Sequence, residues 1–400
     1  MSAVDGFIGI NTGKTDNECL RVLVISHTYV VGVNQGKLDA LDQTGKVNMG
    51  LLAPSNWKAL EWNRLLALET PYPNLQIYAA PVSATGRGGA HFYAPWKLWQ
   101  VLHDFQPDVV HVEEEIFSLC AFELAVWSRF TGKPLSLFGW ENMDRQLPIL
   151  RHWVRQFVLS TARLIVAGNH DGAALLRQWG YTGLMAVVPQ LGVDTNMFQP
   201  SIAERQNDEF QIGYLGRLVP EKGIDLLFAA VRQLRDRGLN CRLVLCGSGS
   251  SETDLRQEVQ RLQIEDFVTW RGSVRHDAAP AELSKFDVLV LPSRTISTWK
   301  EQFGHVLIEA MAMGVPVIGS TCGEIPNVIN RADLVFQEGD VLGLIAILEK
   351  MICDPDWRQA VRAYGIRRVQ QHYSHERIAE QLIDLWQTVL KQKSEARAVN

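Results

Sequence analysis

The 400-residue chain has little of what marks several common functional classes. It has no excess of positive charge: the net charge is −5, with 15 basic and 17 acidic residues up to position 200 and 24 and 27 beyond it. No basic face is implied, which argues against nucleic acid as a partner. Its six cysteines (19, 120, 241, 246, 322 and 353) show no CxxC or CxxxC spacing. Most sit in apolar runs such as "CRLVLCG", as reduced core residues of a cytoplasmic protein do. No apolar run approaches the ~18–20 residues needed to cross a bilayer. The first 19 residues lack the charged start and continuous apolar stretch of a signal peptide and are expected to form a loose extension. G-x-S-x-G is missing, and with it the usual serine-nucleophile elbow. The only Asp-x-Asp is Asp354 to Asp356, in "CDPDW". There Asp354 reads as a helix N-cap and Pro355 as the first helical residue, so no metal ligand set is assigned.

What remains is a globular composition, 46% hydrophobic and 21% charged, long enough for two cores. Short apolar runs alternate with amphipathic stretches. "RVLVIS", "VNMGLL", "LQIYAAPV", "DVVHVE", "PLSLFGW", "LIVAG" and "MAVVPQ" are strand candidates in the first half. "FQIGYLG", "CRLVLCG", "FVTWRG", "VLVLPS" and "PVIGS" follow in the second. Such runs suit parallel strands covered on both faces, with helical crossovers between them. The fold class is therefore α/β, with two doubly wound Rossmann-like domains facing across a cleft. Their expected bounds are 20–200 and 208–373, after an extension over 1–19. A final helix over 374–400 is expected to pack near the junction. Ligands belong at the carboxyl ends of the strands.

Two motifs in the second half carry chemistry. After "FQIGYLG", Arg217 and Lys222 lie in a turn before a helix, a guanidinium and an ammonium suited to a diphosphate. By itself such a turn reads more readily as solvated basic surface. Then "EQFGHVLIEAMAMGVPVIGS" places Glu301 before a helix start at Phe303–Gly304, and Glu309 within an apolar helix. A helix start offers amides to an anion, and carboxylates accept pairs of hydroxyl hydrogens. Together these features describe a nucleotide-diphosphate sugar.

"GYLGRLVPEKGIDLL", "LCGSGS" and "EQFGHVLIEAMAMGVPVIGSTCGEIPNVI" resemble glycosyltransferase family 4, retaining transferases of the GT-B fold. The resemblance is specific over roughly 210–330 and weaker before it. It implies that Arg217 and Lys222, next to Gly216, neutralise the donor diphosphate. Glu301 contacts the donor sugar and Glu309 the ribose. Backbone of Phe303, Gly304, His305, Val306 and Leu307 meets phosphate and sugar, while Val274 and Arg275 flank the base. No cofactor is expected; the substrate is a nucleotide-diphosphate sugar, UDP-linked as the first guess and GDP-linked as the second. The acceptor is a hydroxyl of a glycan, lipid or small molecule, and the setting bacterial polysaccharide or glycoconjugate synthesis. A GT-B epimerase or hydrolase, or a silent nucleotide-sugar binder, are the alternatives.

The first half departs from the family pattern. Val31-Gly32-Val33 replaces adjacent glycines, so Gly32 is either a donor contact or a plain turn. Glu113 stands where family members often carry histidine. The triplet Glu113–Glu115 is either a helix N-terminal acidic cluster or a presentation of Glu113 to an acceptor hydroxyl. Trp140, Glu141 and Asn142 are another candidate acceptor wall, and His27 and His103 read as structural. "RHWVRQFVLSTARLIVA" (151–167) is either a bundle-facing helix or a membrane-surface helix. The expected location is the cytoplasm, with peripheral contact at the inner membrane face left open.

Overall fold

The structure, a computed structural model, describes residues 19–59, 64–200 and 209–398. The expected N-terminal extension lies outside the described residues except for Cys19, as does 201–208 within the polar stretch between the halves. The chain divides into two compact units, Met1–Leu191 with His375–Asn400, and Gly192–Ser374.

The first unit contains β1 (Leu20–Ile25), α1 (Gly36–Gln43), β2 (Val47–Pro54), β3 (Asn56–Ala59), β4 (Arg64–Ala67), β5 (Gln76–Ala80), β6 (Val82–Ser83) and β7 (Phe92–Tyr93). It continues with α2 (Pro95–Phe105), β8 (Val109–Glu113), α3 (Leu119–Thr131), β9 (Leu135–Gly139), α4 (Ile149–Thr161), β10 (Leu164–Ala167), α5 (His170–Gln178) and β11 (Leu184–Val187). Seven strands form a parallel sheet in the order β11-β10-β9-β8-β1-β2-β5. Alternation along β1 explains its double burial. Leu23 and Ile25 join Val110, Val112, Leu124 and Val158 in one core. Val22 and Val24 point the other way, to Leu38 and Leu41 of α1. The C-terminal helix of the chain completes that second face with Ile378, Leu382, Ile383 and Trp386. All seven apolar runs of the first half are strands of this sheet. The short hairpins β3–β4 and β6–β7 have no such run to announce them.

The second unit contains β12 (Phe210–Leu215), α6 (Asp225–Asp236), β13 (Cys241–Cys246), α7 (Glu252–Arg261), β14 (Val268–Gly272), α8 (Ala279–Leu283), β15 (Val288–Leu291), α9 (His305–Ala312) and β16 (Val317–Ser320). Then come α10 (Ile325–Ile329), β17 (Val335–Phe336), α11 (Val341–Cys353) and α12 (Pro355–His372); the final helix, α13 (His375–Ala398), belongs to the first unit. The sheet is parallel in the order β14-β13-β12-β15-β16-β17. Asp354 caps α12 by accepting from Trp357 N–H at 2.9 Å, with Pro355 first in the helix. The four cysteines 120, 241, 246 and 322 are buried, and none of the six is in a disulfide.

In each sheet, strand order reverses once: between β8 and β1 in the first, and between β12 and β15 in the second. Loops leaving neighbouring strands at such a point diverge to opposite faces and leave a crevice, the usual ligand position in doubly wound sheets.

Candidate active site

In the second unit the loops after β12 and β15 supply the charged residues. Gly216 continues the line of β12, its N–H donating to Cys246 O at 2.9 Å. A short turn, Pro220–Lys222, is closed by Gly223 at φ +64°. A Cβ at Gly223 would sit 2.2 Å from the Pro292 carbonyl oxygen, backbone that cannot yield, so glycine is required. This close approach sets the Lys222 turn against the end of β15.

There Lys222 Nζ donates to Glu301 Oε2 at 2.6 Å, and Ser293 Oγ donates to the same oxygen at 2.8 Å. The ammonium also lies 4.8 Å from the centre of the Trp299 ring, a further electrostatic hold. Glu301 is only 7% exposed, and Glu324 N–H donates to its carbonyl at 3.1 Å. Arg217 differs: its side chain is 55% exposed and 3.9 Å from Glu221, a contact of little energetic weight. Its guanidinium is available to a ligand.

Gly304, at φ +83°, turns the chain into α9. Phe303 packs its ring 5.6 Å from Tyr373 and 4.9 Å from His305. Leu307 is buried and Val306 half-buried against the core. Glu309 follows one turn into the helix, 3.6 Å from Nε2 of His276, whose pKa it raises. That histidine immediately follows the Val274–Arg275 loop. Arg275 itself is exposed and paired with Asp277 at 3.0 Å, while Val274 packs on the core. The structure thus brings Arg217, Lys222 and Glu301 to one crevice edge, and Glu309 to the Val274–Arg275 loop through His276. Ser293, Trp299 and His276 were not anticipated. Ser293, closing the run "VLVLPS" at a strand end, was the nearest to a sequence signal.

The first unit corrects several expectations. None of Glu113, Glu114 and Glu115 lies in a helix first turn: Glu113 ends β8, and α3 starts after Ser118, whose hydroxyl caps it by accepting from Ala121 N–H at 3.0 Å. Nor does Glu113 face solvent, where an acceptor substrate's hydroxyl would meet it. It is fully buried; Lys37 Nζ donates to Oε1 at 2.5 Å, while Tyr29 O–H and Gln190 Nε2 donate to Oε2 at 2.7 and 3.0 Å. Burial alone would raise its pKa, but Lys37 and His111 outweigh that and hold it well below the usual carboxylate range. Lys37 escaped notice because a lysine in a helix first turn normally faces water. Its spacing of four from Leu41 was the available signal that it points inward. Gly32 starts a short 3-10 turn and donates its N–H to Glu69 Oε2 at 2.7 Å. His27 is not a bystander: its Nδ1 lies 2.7 Å from Glu114 Oε2, and burial together with His27 and His91 sets the Glu114 pKa at about 2, the histidines outweighing the burial. Segment 151–167 divides into the rest of α4 and β10. Val154, Val158 and Leu159 are buried, whereas Ile149, Leu150 and Trp153 at the start of α4 are exposed.

Residues 197–368 match the family model Glycosyl transferases group 1. That segment is a glycosyl transferases group 1 domain. It holds every residue of the Lys222–Glu301–Glu309 constellation. The capsular polysaccharide biosynthesis glycosyltransferase CapM of Staphylococcus aureus is 32% identical over 206 residues, 50% of this chain and 52% of that protein. A GDP-mannose-dependent alpha-(1-6)-phosphatidylinositol monomannoside mannosyltransferase of Mycobacterium tuberculosis is 29% identical over 258 residues, 62% of this chain and 66% of that protein. The chain thus spans between about half and two thirds of these relatives. The Anabaena protein Alr3699/HepE, solved in complex with UDP, superposes with a TM-score of 0.68 over 92% of this chain and 100% of that one, at 20% identity. The two Rossmann-like units, one carrying the group 1 domain, have the GT-B fold.

Proposed function

We propose that the protein is a retaining glycosyltransferase that moves a hexosyl group from a nucleotide-diphosphate sugar to an acceptor hydroxyl without an obligatory metal. The observation that carries this is the Lys222–Glu301 pair at the strand-order reversal of a group 1 domain. Lysine has three N–H donors, so Lys222 can hold Glu301 and still direct a proton donor to a phosphate oxygen. Arg217, extended and exposed, forks onto the diphosphate beside it. Glu301 accepts donor-sugar hydroxyls, and Glu309 accepts the ribose diol. The backbone that opens α9, from Phe303 to Leu307, meets the phosphate and sugar, with the Leu307 N–H itself turned back onto Gly304 O, and Val274 and Arg275 border the base.

In the reaction the bond from the anomeric carbon to the diphosphate oxygen breaks as the acceptor oxygen bonds to the same face. The acceptor proton passes to the departing phosphate. Charge develops on that leaving group, where Lys222 and Arg217 stabilise it. Glu113 has no part as a proton acceptor, since both its oxygens are engaged. The first unit is assigned to the acceptor, a glycan, lipid-linked or small-molecule alcohol of a bacterial polysaccharide or glycoconjugate pathway. The exposed Ile149, Leu150 and Trp153 on α4 support contact of that unit with a membrane surface, on the cytoplasmic side; no helix among the described residues is long and apolar enough to cross one.

GDP-mannose in the name of one relative and UDP in one solved complex favour different bases. A thermal-shift panel of UDP-, GDP- and ADP-sugars, followed by turnover with the best binder, decides between them. Nucleotide release from donor alone, undiminished without acceptor, would replace transfer by hydrolysis or epimerisation.

A further inference from the structure

Away from the Lys222–Glu301 site, three side chains from distant parts of the chain converge: His27 just after β1, His91 just before β7, and Glu114 just after β8. One ligand atom from each lies within 4.8 Å of the other two. They meet at the carboxyl ends of β1 and β8, the strands at which the first sheet reverses its order.

The hydrogen bonds around His91 are informative. Its Nδ1 is 2.7 Å from the Gly88 carbonyl oxygen, which can only accept, so the proton resides on Nδ1. Its Nε2 faces Glu114 Oε1 at 3.5 Å and has no hydrogen-bond partner among the described residues. Both side chains are fully buried. That gap is close to the roughly 3.4 Å that separates neighbouring ligands around a tetrahedral ion with bonds of ~2.1 Å, whereas His27 Nδ1 is hydrogen-bonded to Glu114 Oε2 at 2.7 Å, a contact that an ion would replace. The Nδ1 contact to a backbone carbonyl is also the outer contact that metal-bound histidines commonly make. Trp57 fixes both rings, stacked 4.3 Å from His27 and edge-on 5.1 Å from His91. His27, with its side chain 20% exposed, leaves a path from solvent.

We propose that His27, His91 and Glu114 bind one divalent transition-metal ion of the zinc type, with a fourth position open to water or a ligand hydroxyl. Two imidazoles and one carboxylate are a nitrogen-rich set that suits zinc and disfavours magnesium or calcium. The ion ties the loop after β1, the segment before β7 and the end of β8 into one rigid rim. It takes no part in the donor chemistry of the second unit. No sequence spacing announced it, because its ligands come from three separate loops.

The test uses the full chain, stripped with a chelator and titrated with Zn2+ alone by calorimetry and thermal shift, with no nucleotide sugar present. One equivalent should bind and raise the melting temperature. His27→Gln and Glu114→Gln should each lower Zn2+ affinity by more than the ~10- to 100-fold that loss of an outer contact alone costs, while Lys222→Ala binds as wild type. If Glu114→Gln does not fold, His27→Gln decides, because the His27 side chain is partly exposed whereas Glu114 is fully buried. Absence of stoichiometric binding, or binding equal to wild type in His27→Gln, overturns the proposal whatever the donor site proves to do.

Discussion

The ammonium of Lys222 and the carboxylate of Glu301 lie 2.6 Å apart although 79 positions separate them in the chain. They meet because β12 and β15 are sheet neighbours and because Gly223 lets the two strand-end loops touch. Arg217, on the same loop, makes no comparable pair. The two cations should therefore behave differently when removed. Either Lys222→Ala or Arg217→Ala should cost about 1.5–3 kcal/mol of donor binding per lost charged hydrogen bond, about 10- to 150-fold. Only Lys222→Ala should also lower the melting temperature, since it strands a largely buried carboxylate. Donor titrations and thermal melts of both variants check this; unchanged donor affinity in both would remove the diphosphate assignment.

The two glutamates should separate nucleotide from sugar recognition. Glu309→Ala should weaken nucleoside diphosphate and nucleotide sugar to a similar degree, as expected of a ribose contact. Glu301→Gln should leave diphosphate binding nearly intact while transfer is lost. Calorimetry with both ligands distinguishes them, and equal loss of diphosphate binding in the two variants would reverse the roles.

Glu113 should prove to be a stability residue. Its partner Lys37 is fully buried, and burial lowers the Lys37 pKa, so its charge depends on the carboxylate. Breaking such a pair from one side typically costs about 3–5 kcal/mol, whereas replacing both members by apolar groups is often tolerated. Glu113→Gln should fall in that range in urea melts, and Lys37→Met with Glu113→Leu should recover most of the loss. A stable Glu113→Gln with turnover cut by more than 100-fold would instead restore a chemical role for Glu113.

Chelation should separate the two units' chemistry. In excess EDTA, transfer should persist at or below the temperature where the chain stays folded, because Arg217 and Lys222 supply the countercharge. The melting temperature should fall as the His27–His91–Glu114 site is emptied. Turnover lost in EDTA and restored by added metal, at a temperature where the chain remains folded, would place the metal in the donor chemistry.

The parallel strands were readable because strands buried on both faces are continuous apolar runs; β1, with Val22 to Ile25, is an example. Hairpins β3–β4 and β6–β7 were not, being short and half-exposed. Glu301 and Glu309 stood out as carboxylates at the start of and within an apolar helix, where solvation explains little; Lys222 gained meaning only beside them, since a basic turn by itself reads as solvated surface. Their pairing partners did not stand out. Ser293, Trp299 and His276 are ordinary residues in sequence, and only the order of strands brings them to the glutamates. Lys37 and His91 were missed for a related reason. Each is a polar side chain whose burial follows from packing with residues far away in the chain, which no local spacing encodes.

Glu141, one residue past Trp140 on the loop after β9, provides a test by pH. Burial, with repulsion from Glu115, raises its carboxyl pKa from 4.5 to about 7, despite the contact from Ile116 N–H at 3.3 Å. A raised carboxyl pKa means that the folded chain holds this proton more tightly than the unfolded chain. Its contribution to stability is complete below about 4.5 and is lost as pH rises through about 7. The span corresponds to at most about 3 kcal/mol. Glu113 and Glu114 act in the opposite sense: with depressed pKa values their contribution is present above the unfolded value of 4.5 and is lost progressively as pH falls below it. Between pH ~5 and ~7.5 the Glu141 term should therefore be visible on a flat background from that pair. Glu123, also raised to about 7 by burial, adds a second term of the same sign. Urea melts across this range should show wild-type stability falling with pH, Glu141→Gln falling less steeply, and Glu141→Gln with Glu123→Gln less steeply still. If Glu141 also receives the acceptor's hydroxyl at the wall formed with Trp140 and Asn142, the Gln variant should bind acceptor more weakly above pH ~7, where only a carboxylate accepts with full charge. An unaltered slope in both variants would show that these carboxyls are ionised throughout, and that the loop after β9 is wetter than its packing indicates.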